Sequence, residues 1–186
     1  MQQWTIPGTT LKGRRGEADG IGDQFQALFL AGGLTLSQVS SITRLEAYTI
    51  QNWVKRGFLQ PPVGKKYNME QVCRILNINI LKGAVPLEQI GKLMAYLNGD
   101  LTDERDDLVD DTMLFFLFVR LAARARYIGG SKAWDDALTE ITEDYAEPTP
   151  GAREKLIKVL KVMLTVWCAN QLKAQADKMM LEMQNV

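Results

Sequence analysis

Between residues 34 and 68 the chain is cut into short pieces by residues that cannot sit inside a regular element, and this punctuation constrains the fold most. Thr35 stands where a helix cap is favoured, and the apolar spacing after it predicts a helix over 36–42. Thr43-Arg44-Leu45 leaves room only for a tight turn. A second helix is expected over 46–56, stopped by Gly57, which can take the left-handed conformation that ends helices. Pro61-Pro62-Val63-Gly64 cannot continue a helix and opens a loop. Lys65-Lys66-Tyr67 fits a very short strand, and Asn68 caps a helix in which Val72, Ile75, Leu76 and Ile80 recur at helical spacing. Gly83 ends that helix and Pro86 opens another, with Leu87, Ile90 and Leu93 facing inward.

Two short helices, a tight turn and a proline-interrupted loop carrying paired lysines have the spacing of a winged helix-turn-helix. The second helix of such a pair can enter a major groove while the basic loop tip lies on a neighbouring phosphate backbone. On this reading the partner is double-stranded DNA. Lys55, Arg56, Lys65 and Lys66 are candidate phosphate contacts, and Arg44, Tyr48, Thr49 and Tyr67 are further candidate DNA-binding residues. Gln51 and Asn52 are candidate base readers, because amides can pair bidentately with adenine. Trp53 is expected in the core.

The residues also carry a resemblance. Leu36-Ser37-Gln38-Val39-Ser40 to Thr43, followed by Thr49-Ile50-Gln51-Asn52-Trp53-Val54-Lys55-Arg56-Gly57-Phe58-Leu59, resembles the MerR-type winged-helix signature. The likeness continues through Pro61-Pro62, Lys65-Lys66-Tyr67 and Gly83-Ala84-Val85-Pro86-Leu87-Glu88-Gln89-Ile90, about a third of the chain. More narrowly, Asn52-Trp53-Val54-Lys55, Pro61-Pro62-Val63, Lys65-Lys66-Tyr67-Asn68 and the preceding Asp23-Gln24 pair resemble an uncharacterised bacterial family that embeds a MerR-like unit. The resemblance implies a DNA-binding transcriptional regulator, bacterial and dimeric. Glu46, Gln51 and Arg44 depart from the MerR pattern, which favours Ser, Arg and Gly there. The alternative is a non-enzymatic protein-interaction module that keeps the winged fold without binding DNA.

Charge distribution agrees with a polyanion partner only for the first half. The net charge is +5 over residues 1–99, −8 over 100–147 and +3 over 148–186. The absence of histidine removes the commonest general base and zinc ligand, and no Gly-rich phosphate loop or activated nucleophile is present, so no catalytic residue, metal or cofactor is expected. Cys73 and Cys168 lie far apart without metal spacing and inside apolar helical runs, which fits structural thiols in a reducing cytoplasm. No segment reads as a signal peptide, and the longest apolar run, 113–119, is far too short to span a membrane.

The expected architecture is mainly α. An irregular arm over 1–22 precedes a MerR-like winged helix-turn-helix with a minimal β wing over 23–99, and a helical dimerisation or effector domain occupies 100–186. Asp23 is expected to cap the first helix. In the second half, helices are expected from near Thr102 to Ile128, from a Ser131 cap to Tyr145, and from Ala152 onward. Asp103, Glu104, Asp106, Asp107, Asp110 and Asp111 read as a solvated start of the first of these, favoured by the helix dipole. Tyr127, Trp134, Tyr145 and Trp167 read as core aromatics, with an effector pocket as the rival reading; no particular effector is implied. The last helix is apolar nearly all round at first, so a homodimer seam is expected through Leu160, Met163, Leu164 and Trp167, extended by Leu172, Ala176, Met179 and Met183. The competing expectation buries the same residues against 113–123 of one chain.

Overall fold

A computed structural model describes residues 3–99, 101, 107–125 and 132–184. Among them the protein is mainly helical, with two small antiparallel sheets. Strands β1 (Gln3–Thr5) and β2 (Lys12–Arg14) form a hairpin, and a 3-10 segment over Arg15–Gly20 leads into α1 (Ile21–Phe29). Strand β3 (Leu34–Thr35), α2 (Leu36–Thr43), α3 (Ala47–Lys55), β4 (Lys66–Tyr67), α4 (Met69–Leu81) and α5 (Leu87–Asn98) come next in the chain. The second half contributes α6 (Asp111–Arg124), α7 (Lys132–Ile141) and α8 (Ala152–Gln184).

Helix α4 is the axis of the molecule. It starts at a reciprocal capping box, in which Asn68 accepts from the Gln71 amide and the Gln71 side chain accepts from the Asn68 amide. Nine of its residues are buried, the state expected of a helix apolar on nearly all faces. Helices α6, α8, α2, α1 and α5 all pack against it. One continuous apolar cluster therefore runs from Trp4 in the hairpin to Cys168 in α8. Two polar ties reinforce it. Arg74 on α4 donates to the Asp111 carboxylate at 3.0 Å, and Asn77 donates to the same side chain at 3.1 Å. Asn79 donates to the carbonyls of Gly8 (2.8 Å) and Thr43 (3.0 Å), fixing the hairpin and the end of α2 to one point on α4.

Several sequence expectations are corrected here. Residues 3–22 are not an irregular arm: Trp4 pairs across from Gly13, and Trp4, Ile6, Ala18 and Ile21 are buried. Alternation of Trp4 and Ile6 with exposed Gln3 and Thr5 drives this, since inward residues of a strand recur every second position. Helix α1 begins at Ile21, so Asp23 lies in its first turn rather than at its cap. Helix α6 begins at Asp111, because Asp110 is the cap and accepts from the Met113 amide at 2.7 Å. Asp107 and Asp110 are thus outside any helix, and Asp111 is buried against Arg74 rather than solvated. Asp103, Glu104, Asp106, Tyr127 and the Ser131 cap lie outside the described residues. Helix α7 stops at Ile141, short of Tyr145. Among the described residues, no helix is long and apolar enough to cross a membrane.

Helix α8 is 33 residues long, about 50 Å at 1.5 Å per residue. Leu156, Val159, Leu160, Met163, Leu164 and Cys168 are buried within the chain, on the face toward α4, α5, α6 and α7. Leu160, Met163 and Leu164 therefore belong to this chain's own core and are not free to form the centre of a dimer seam. Trp167 is half-buried with its ring edge-on to Phe118, at 6.4 Å between centroids. Leu172, Met179 and Met183 remain exposed.

Candidate nucleic-acid interface

The turn between α2 and α3 is built from side chains that satisfy its backbone. Thr35 caps α2 in a capping box completed by Gln38. At the other end the Thr43 hydroxyl donates to the Val39 carbonyl (2.8 Å) and accepts from the Leu45 amide (3.2 Å), while the Ser40 hydroxyl donates to the Leu45 carbonyl. Arg44 caps α2 in the left-handed region, φ 56°, where its side chain projects into solvent. Leu45 is buried and pins the turn to the core.

Helix α3 then divides cleanly into two faces. Ile50 and Trp53 are buried. Tyr48, Gln51, Asn52 and Lys55, at positions i, i+3, i+4 and i+7, are all exposed, Tyr48 to 71%. The helix ends in a Schellman motif: Phe58 donates to the Trp53 carbonyl and Gly57 to that of Val54, with Gly57 at φ 75°. Thr49, by contrast, is half-buried.

The wing is a minimal hairpin. Val63 and Lys66 exchange both backbone hydrogen bonds around Gly64 and Lys65, whose φ values of 57° and 62° are those of a two-residue primed turn. Strand β4 continues into pairing with β3, Leu34 opposite Tyr67 and Thr35 opposite Lys66. Gly33 permits this approach, because a Cβ there would stand 2.8 Å from the Tyr67 carbonyl oxygen. From α4, Gln71 donates to the Pro61 carbonyl (2.9 Å) and Arg74 to that of Phe58 (3.0 Å), so the base of the wing is bolted to the central helix.

The expected contact residues thus separate into three groups. Arg44, Lys55 and Lys65 are exposed cations with no ion pair among the described residues, and Tyr48, Gln51 and Asn52 are exposed beside Lys55. Arg56 and Lys66 are already engaged: Arg56 pairs with Glu88 at the start of α5 and lies 5.2 Å from the centre of the Phe58 ring, and the Lys66 ammonium donates to the Ala31 carbonyl at 2.6 Å. The Glu88 carboxyl is held below its ordinary range, first by its own backbone amide and then by Arg56. Tyr67 is corrected outright: it is buried under the wing, and burial raises its hydroxyl pKa, so it supports the surface from below instead of forming part of it.

Sequence reasoning missed Glu88 and Val63. Glu88 reads as an ordinary first-turn acid, and nothing in its local pattern reveals Arg56 across the fold. Val63 is 82% exposed at the wing tip, an apolar residue presented beside Lys65. Burial raises the thiol pKa of both Cys73 and Cys168. No cluster of side chains suited to holding a metal ion occurs among the described residues. Trp134 and Tyr145 are core residues. A cavity of about 720 Å³ between the wing base, α4 and α5 is lined by charges of both signs, Arg74 and Lys92 beside Glu70 and Glu88.

The chain is thus a mainly helical protein in which a two-helix turn and a short hairpin are mounted on a central helix. Residues 23–113, from α1 into the first turn of α6, are similar to a family described as a domain of unknown function (DUF1836). Over 78 residues, 40% of the chain, the sequence is 32% identical to "Uncharacterized protein YkrK" of Bacillus subtilis (strain 168). The matched stretch covers 34% of that relative's length. No solved structure matches the chain.

Proposed function

We propose that the protein is a DNA-binding regulator that uses a MerR-like winged helix-turn-helix, with α3 as the groove-entering helix and the 63–66 hairpin as the wing. The observation that carries this reading is the exposed polar face of α3, Tyr48, Gln51, Asn52 and Lys55, with Arg44 in the turn before it and Lys65 at the wing tip both exposed and without an ion pair among the described residues. An exposed i, i+3, i+4, i+7 row of amides and a lysine is the chemistry that reads base edges and phosphates together. Lys66 and Tyr67 serve the wing's own structure in this account.

The cations Arg44, Lys55 and Lys65 set the expected electrostatics of this surface. Counterion release from three phosphate contacts gives a slope of about −3 in log affinity against log salt, so a fourfold rise in salt weakens binding by roughly 40-fold. The test is fluorescence anisotropy of the full chain with a 30-bp random-sequence duplex between 50 and 200 mM salt. The combined variant Lys55→Glu, Lys65→Glu should abolish binding. No binding by the wild type at 50 mM overturns the reading.

The rival, a protein-interaction module on the same scaffold, is favoured by one observation. Arg56, a candidate phosphate contact, is neutralised by Glu88. Loss of duplex binding together with an intact fold is the outcome it predicts.

A further inference from the structure

The hairpin of β1 and β2 forms one wall of a cavity of about 490 Å³, closed on its other sides by the end of α6 and the middle of α8. Trp4 and Pro7 line it from the hairpin, Arg15 from the segment that follows, and Trp167, Cys168 and Gln171 from α8. The volume is that of a small-molecule site. Two indoles give it flat apolar walls, and among the described residues no carboxylate lines it. Every lining residue lies outside the matched segment 23–113, so the family likeness does not account for this cavity.

Arg15 is the one charged side chain among the described residues that line it. It is half-buried, and its guanidinium lies 5.0 Å from the centre of the Trp4 ring. Its Nη1 donates to the Ala122 and Ala123 carbonyls, at 3.3 Å each, in the last turn of α6. Those carbonyls have no partner within their own helix, so Arg15 also caps α6. Among the described residues it has no ion pair and no further hydrogen bond. The Nε–Nη2 edge is therefore left over, and that edge donates to a carboxylate as a two-pronged pair. A guanidinium drawn partly out of water without a counter-ion is unfavourable, and an anion in the cavity offsets this. The neighbouring wall holds a second unmet group: Trp4 is buried, and its indole N–H has no acceptor among the described residues.

We propose that this cavity binds a small aromatic carboxylate. The ring lies against the indoles of Trp4 and Trp167, whose flat faces suit a planar ligand better than a branched aliphatic one. The carboxylate takes the Nε–Nη2 edge of Arg15. One cation with one free edge matches a single negative charge. A phosphate dianion needs more donors, and neither a lysine nor a second arginine lines the cavity among the described residues. Gln171, exposed on α8, stands at the mouth. This inference is independent of DNA binding, and its test contains no DNA.

The probes are 2-naphthoate, its neutral isostere 2-naphthamide and inorganic phosphate, each titrated into the full chain at neutral pH. The readout is NMR of the indole N–H signals of Trp4, Trp53, Trp134 and Trp167. Naphthoate should bind with a dissociation constant of about 1 mM or below. It should move the Trp4 and Trp167 signals and leave Trp53 and Trp134, which do not line the cavity, in place. Naphthamide should bind at least about tenfold more weakly, because it forms no charged pair with Arg15. No shift up to about 10 mM naphthoate, equal shifts at every indole, equal binding of the amide, or phosphate binding as tightly at the same signals each overturns the proposal. Two variants place the site. Gln171→Trp changes an exposed side chain, so the melting temperature should hold while naphthoate binding is lost; retained binding overturns the location. Arg15→Gln should weaken naphthoate at least about tenfold and leave naphthamide unchanged. An equal loss of both ligands would mean that Arg15 only shapes the wall, and overturns its role as the carboxylate's partner. Should Arg15→Gln fail to fold, the comparison of acid and amide on the wild type decides the same point.

Discussion

Removing the Asp111 carboxylate would strand the Arg74 guanidinium, whose side chain is 12% exposed, with its charge uncompensated. Breaking a buried pair from one side costs about 3–5 kcal/mol, so Asp111→Ala should lower the melting temperature by roughly 6–20 °C for a chain of this size. Calorimetry checks it, and a shift under ~2 °C would mean that α4 and α6 do not depend on the pair. A second residue isolates backbone strain from packing. A Cβ on Gly57 would meet nothing within 4 Å, yet φ there is 75°. Gly57→Val therefore costs about 1–2 kcal/mol through conformation alone. Gly16→Ala, equally open and without positive φ, should be neutral in the same chemical-denaturation series. Equal effects at the two positions would contradict the Schellman ending of α3.

At the scale of elements, the exposed face of α3 and the wing tip carry the separable prediction. Lys55→Gln alone should reduce the salt slope by about one and weaken all duplexes alike, whereas Asn52→Ala should weaken the preferred sequence by about 1–3 kcal/mol relative to random DNA. Anisotropy with both duplex types distinguishes them, and identical behaviour of the two variants would contradict the assignment of base and phosphate roles. The elements around this face are the legible ones. Thr35 and Asn68 announce caps because a Gln stands three residues after each, and Gly57 announces a stop because only glycine takes that conformation cheaply. Short strands are less legible. Lys66 and Tyr67 point to opposite faces of β4, so one has to turn inward, and burying Tyr67 leaves the lysine ammonium to find the Ala31 carbonyl. The hairpin over residues 3–14 is hard to read from sequence because three-residue strands show hardly one full alternation. The start of α6 is ambiguous in the same way, because a row of acids favours a helix N-terminus anywhere along it, and only geometry shows that Asp110 makes the cap.

For the whole molecule, the buried face of α4 explains why the matched segment 23–113 does not stand apart from the later helices. Its central helix is covered by α6 and α8, and the Arg74–Asp111 pair ties α4 to α6. The long helix illustrates a limit of pattern reading. Apolar residues around its whole circumference blend two stripes, a core stripe through Leu160, Met163 and Leu164 and an exposed stripe through Leu172, Ala176, Met179 and Met183, and only burial separates them. Among the described residues of the turn, α3 and the wing, Arg44, Lys55 and Lys65 are exposed without an ion pair, while Lys66 and Arg56 are engaged. The central claim is that this face meets duplex DNA. Amide NMR of the full chain titrated with a 30-bp duplex tests it most directly. The account predicts shifts at Tyr48, Gln51, Asn52, Lys55 and Lys65, with α7 unmoved. Shifts centred on α7 or α8, or none at all at saturating duplex, would contradict it.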